Sequence, residues 1–163
     1  MEPLKPFEKI AEPDGRWELL NVSFIRLHGI AESMSLNKNV PEYARVQFQQ
    51  AQHLLVYSYY QFSLLSVAQI QAFIALECAL RIRWQSEFPE RAKQLKRLPA
   101  LKTLLQLAGE RNWVMGCTPA FIEHVRSLRN NHAHGEYILH PTHAIEMIEL
   151  CGTMIQQLYP TSA

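Results

Sequence analysis

The chain has 163 residues, 48% of them apolar and 19% charged, with a net charge of +1. That length amounts to one domain of the usual ~100–200 residues, and the apolar share excludes disorder along the whole chain. The near-neutral charge excludes a strongly basic nucleic-acid coat, and three scattered cysteines without a C-x-x-C exclude a disulfide framework.

Further features bound the class. The charged share lies below the ~25% of an ordinary soluble domain, which points to a surface partly covered by a second copy or another partner. Three separated thiols, Cys78, Cys117 and Cys151, fit a reducing, cytoplasmic setting. The opening MEPLKPFEKIAEPDG has no apolar run of the secretory kind. No residue between Arg45 and Glu77 is charged, long enough for the ~20 residues of a membrane span. Eight interior Gln and His residues there, from Gln47 to Gln71, argue instead for a buried helix pair and no membrane.

Along the chain, residues 1–40 form an N-terminal arm with Pro3, Pro6, Pro13 and Gly15 and no sustained helical period. Its segment 16–27 reads as a short strand or an irregular stretch packed on the body. Asn37, Asn39 and Pro41 read as a loop and a helix start. Residues 41–163 then form a helical domain. A run of ~48 residues without Gly or Pro exceeds the ~11–12 of a mean helix. It divides into helices over 42–61 and 64–86, with a turn near 62–66. The first is expected to bury Tyr43, Val46, Ala51, Leu54, Leu55 and Ser58. The second is apolar nearly all round, through Val67, Ile70, Ile74, Leu76, Leu80 and Ile82, as suits a central helix.

A basic connector, 89–99, leads to a helix over 98–110 that presents Leu101, Leu104, Leu105 and Ala108. A loop over 111–118 follows. Thr118 is the expected N-cap of the next helix and Pro119 its first residue. That helix runs over 119–134 and stops at Gly135. Pro141 opens a last helix to about residue 159. The sum is an all-α, antiparallel up-and-down bundle of four to five helices with an irregular arm.

Chemistry concentrates in residues 126–135. Arg126, Asn130 and His134 are spaced i, i+4, i+8 and share a helix face, and Arg129 lies one residue from it. A guanidinium grips two phosphate oxygens at once, and an imidazole moves protons near neutrality. On RNA, these groups suit deprotonation of a 2′-hydroxyl and stabilisation of the crowded phosphate it attacks. The helix C-terminus favours the protonated imidazole by ~0.3–1 kcal/mol, towards an acid role. A helix end capped by its own polar side chains is the plainer reading of the same residues.

Basic residues cluster at Arg81, Arg83, Arg91, Lys93, Lys96, Arg97 and Lys102, opposed only by Glu87 and Glu90. The patch suits a few phosphates, and a solvated helix end equally. His132, His134, His140 and His143 with Glu136 can be drawn as a zinc site. They lack the tightly spaced cysteines of structural sites, so no metal and no cofactor is expected. His140 and His143 then read as surface or capping groups. Cys117, in a loop, is a candidate reactive thiol. Tyr57, Tyr59, Tyr60 and Phe62 read as core or interface more readily than as a base-stacking platform.

Arg129-Asn-Asn-His-Ala-His134-Gly resembles the R-x4–6-H motif of HEPN domains, in the form R-N-x-x-A-H-G. Ala75-Leu-Glu77-Cys-Ala-Leu80-Arg81 is similar to an A-L-E-x-x-L stretch of that family. The resemblance covers about residues 42–158. It implies a metal-independent endoribonuclease that leaves a 2′,3′-cyclic phosphate, often a toxin or an antiphage defence component. It implies a homodimer, with Arg and His of both chains lining one RNA cleft, and a cognate antitoxin or larger defence complex as further partner. Arg129 would stabilise the phosphate and His134 act as acid or base. Asn130, Arg126 and Glu77 would support them, Glu77 by orienting Arg129. Arg81, Arg83, Lys96 and Arg97 would hold RNA. Some toxins of the family carry R-x4-H-x-Y, whose Tyr is modified; Tyr137 sits one position too late for that pattern. Many HEPN domains cut nothing, so a nucleotide-binding, RNA-binding or protein-interaction module is the alternative.

Overall fold

The structure, a computed structural model, describes residues 4–134 and 140–161, apart from the side chains of 131–134. The described residues are all-helical, without a strand. Five helices match the expected ones: α3 (Glu42–Tyr57), α4 (Leu64–Glu87), α6 (Leu101–Glu110), α7 (Pro119–His134) and α8 (Pro141–Leu158). Three further α-helices join them: α1 (Gly15–Leu19), α2 (Phe24–Ser33) and α5 (Pro89–Gln94), the last inside the expected basic connector.

The bundle is organised around α4, which packs against α3, α8, α6 and α7. Its buried side chains, among them Leu65, Phe73, Leu76, Leu80 and Trp84, lie on several faces, as a helix apolar all round requires. It is the one described helix long and apolar enough to cross a bilayer, and 56% of that apolar window is packed inside the bundle. The interior amides bond across helices: Gln52 donates to the Ala31 carbonyl at 2.6 Å, and Gln71 to Gln47 Oε1 at 2.7 Å.

The helix starts follow local chemistry. The Thr118 hydroxyl accepts from the Phe121 N–H at 3.2 Å, and Pro119 opens α7. Asn37 and Asn39 do more than form a loop. Their amides donate to the Tyr159 and Pro160 carbonyls at the end of α8, at 3.0 and 2.9 Å.

Two expectations are corrected. Residues 16–27 are neither strand nor irregular arm: they contribute to α1 and α2, and Trp17 and Leu27 are fully buried. α1 is too short to show a period, and Asp14 and Ser23 are the N-caps of α1 and α2, accepting from the Arg16 and Arg26 N–H groups. Tertiary contacts hold both helices. Trp17 Nε1 donates to the Ser58 carbonyl at 2.6 Å, and the Asp14 N–H to Tyr59 O at 2.8 Å. The Asp14 carboxylate accepts from the Phe62 N–H at 3.1 Å. These bonds serve backbone groups between α3 and α4, where the break falls several residues before 62. The second correction concerns α3. Its inner face is Ala44, Phe48, Ala51 and Leu55, whereas Tyr43 and Val46 are exposed. Both choices satisfy a helical period, and the approach of α4 and α8 selects between them.

Candidate functional site

Glu77 sits midway along α4 with its side chain 9% exposed. Its two oxygens hold two guanidinium groups. Oε1 accepts from Arg81, one turn on in α4, at 2.6 Å. Oε2 pairs with Arg129 of α7 at 3.0 Å. Both cations remain reachable, with side chains 39% and 45% exposed. A buried carboxylate thus steers the exposed ends of two arginines whose further N–H groups can bind an anion. The cluster carries one net positive charge.

Arg81 and Arg129 line one side of a cleft of about 450 Å³. Tyr43 and Gln47 of α3 and Ile74 of α4 contribute to its walls, and Leu98 enters from the segment before α6. The size falls in the ~300–1,000 Å³ range of small-molecule sites.

The expected site residues separate here. Arg129, Glu77 and Arg81 come together. Arg126 stands apart, paired with Glu123 of its own helix, whose carboxyl is drawn below its usual range by Arg126. Asn130 is exposed on α7. Arg83 lies over the Trp113 ring, 5.4 Å from its centroid, and within 3.9 Å of Glu87. Lys96 and Arg97 are exposed between α5 and α6. The helix α7 extends through His134, but its side chain, Gly135, Glu136 and Tyr137 lie outside the described residues.

Other candidates resolve by burial and distance. Burial pushes the thiols of Cys78 and Cys117 upward and that of buried Cys151 further, so Cys117 is not an activated nucleophile. Phe62 packs on Trp17 at 5.0 Å in the core, half-buried Tyr59 and Tyr60 pack on Phe24, and Tyr57 is exposed. Among the described residues no group of three or more His, Cys, Asp or Glu is placed to hold a metal. The drawn zinc set lies largely outside them. His140 precedes α8 without a side-chain cap bond. His143 instead faces His124 of α7, with Nε2 to Nε2 at 3.4 Å. Nothing in the spacing announces that pair, nor the arrival of Tyr43 and Gln47 beside Arg129; the one local hint is that these two lie a turn apart on α3. Comparison of the chain with family models, with curated proteins and with solved structures gives no match.

Proposed function

We propose that the chain is a metal-independent endoribonuclease of the HEPN type. The observation that supports this most is the placement of Arg129: anchored on buried Glu77, beside Arg81, at the edge of a cleft. In this reading Arg129 receives the scissile phosphate, and His134, five residues on along α7, transfers the proton. The 2′-hydroxyl attacks the adjacent phosphorus and the 5′-oxygen leaves, giving a 2′,3′-cyclic phosphate and a 5′-hydroxyl. Preorganised cationic donors stabilise the added charge without reorganising during the reaction. The protein acts as a cytoplasmic homodimer, as a toxin or antiphage defence component beside an antitoxin or larger complex.

A specific observation favours a second reading. Arg126 and Arg129 are each already ion-paired, with Glu123 and Glu77. A module that binds nucleotide or RNA without cutting needs no more than this.

The test is RNA cleavage in EDTA by wild type, Arg129→Ala and His134→Ala, with end-group analysis and light scattering. The expected result is a dimer that produces cyclic phosphate, with ~100-fold or greater loss in each variant, the usual scale for acid–base groups. Cleavage that survives both substitutions overturns the mechanism. A folded dimer that binds RNA and cuts nothing selects the second reading.

A further inference from the structure

We infer that the cleft beside Arg129 is a mononucleotide-recognition subsite: Tyr43 stacks the base, Gln47 reads its edge, and Arg81 and Arg129 hold its phosphate. The inference rests on the proposed action on RNA and names what that site selects.

The lining divides by chemistry. The two guanidinium groups meet on Glu77. Tyr43 and Gln47 of α3 add an aromatic ring and an amide, and Ile74, Ile82 and Leu98 add aliphatic side chains. A nucleotide combines the complements of these groups, a charged phosphate and a flat, mostly apolar base. Tyr43 lines the cleft and is 65% exposed, so it is open to a stacking partner. Stacking of a base on such a ring is worth ~1–3 kcal/mol, or about 5–150-fold in affinity.

Gln47 adds a direction. It lies one turn from Tyr43 on the same side of α3. Gln71 donates its amide N–H to Gln47 Oε1 at 2.7 Å. That contact leaves the Gln47 N–H donors, and one lone pair of its oxygen, to meet a base edge. Every base presents acceptors to such donors, adenine through its ring nitrogens. Gln47 therefore adds a base-edge contact next to the held phosphate.

The test uses nucleoside 3′-monophosphates of guanine, uracil and adenine, and inorganic phosphate, titrated calorimetrically into the full chain. Tyr43→Ala, Tyr43→Phe, Gln47→Leu and Arg129→Ala are compared with wild type, and RNA cut sites are mapped in parallel. The nucleotides should bind at least ~10-fold more tightly than inorganic phosphate. Tyr43→Ala should remove the advantage over phosphate, Tyr43→Phe retain it, and Gln47→Leu reduce it. Arg129→Ala should weaken phosphate and nucleotides alike. Equal binding of phosphate and nucleotides, or a Tyr43→Ala protein indistinguishable from wild type, overturns the subsite. The two readings fail separately. Nucleotide binding of the expected pattern without RNA cleavage removes the ribonuclease and keeps the subsite. Arg129-dependent cleavage with binding and cut sites untouched by Tyr43→Ala does the reverse.

Discussion

Asp14 and Glu77 are buried carboxylates that organise their surroundings in different ways. Asp14 is bonded by Arg16 at 2.8 and 2.7 Å and by the Phe62 and Arg16 N–H groups. The Arg16 guanidinium, then these N–H groups, hold its carboxyl well below the usual carboxylate range, while burial acts against them. A depressed folded value means that the contribution to stability is complete above the unfolded value, ~3.9. It is lost as pH falls from there through the folded value. Asp14→Asn should cost about 1–3 kcal/mol at neutral pH. The gap in Tm from wild type should narrow steadily below pH ~4, and a constant gap down to pH 2.5 refutes this account. In the proposed reading Glu77 serves function. Replacing it by Gln removes the ion pairs to Arg81 and Arg129 and raises the charge of the cleft by one. Turnover should fall by about ten-fold as Arg129 loses its orientation, while RNA binds as well or more tightly. A parallel fall in kcat and affinity would mean that Glu77 only stabilises the fold.

The α3–α8 contact depends on one absent side chain. A Cβ at Gly152 would lie 2.7 Å from the Phe48 ring, and Phe48 is fully buried. The ring cannot retreat without moving its neighbours, so Gly152→Ala should destabilise by ~1–3 kcal/mol through overpacking. Urea denaturation measures this, and pairing it with Phe48→Leu should recover part of the loss. Helix ends rest on side chains distant in sequence. Asn37 and Asn39 serve the end of α8, and the Tyr159 hydroxyl donates to the Ala79 carbonyl at 2.9 Å. Burial pushes that phenol up to about 12, so it stays a donor throughout the physiological range. Gly116, within the 111–118 loop, has φ +80°, a left-handed conformation that favours glycine.

For the whole molecule, the N-terminal segment belongs to the core. Trp17, Leu27, Ala31, Met34 and Val40 are buried in the same cluster as Phe48 and Ile155. A chain beginning at residue 41 would expose the faces these side chains cover and leave the Ser58 carbonyl without its indole donor. Loss of a buried Trp alone costs ~3–5 kcal/mol, much of a domain's ~5–15 kcal/mol stability. The truncated chain should therefore show no cooperative thermal transition by circular dichroism, whereas full-length protein shows one. A truncated form with unchanged Tm would demote the segment to an appendage.

The helices from α3 onward, α5 within the basic connector excepted, were legible in the sequence because their signals are local. Proline at a first turn, a hydroxyl before it and three- to four-residue apolar spacing act within a few residues. Arg129 and His134 were legible as a short motif, and Glu77 as its companion only through the family resemblance. The contact between Glu77 and Arg129 spans 52 positions, and no periodicity encodes which helices meet. Nor does the pattern of α3 say that Phe48 turns inward and Tyr43 outward, since both faces are apolar enough. The helices of the N-terminal segment carry N-caps, Asp14 and Ser23, but no sustained apolar period, because their stability comes from burial against partners. By itself, then, the sequence determined an all-helical chain and the residues equipped for phosphate chemistry, through interactions one or two turns long. Only the tertiary structure decided which faces are inner, how residues 4–40 pack, and that Arg81, Arg129, Tyr43 and Gln47 share one cleft. Those outcomes depend on long-range packing, where apolar burial and buried hydrogen bonds choose among locally equivalent arrangements.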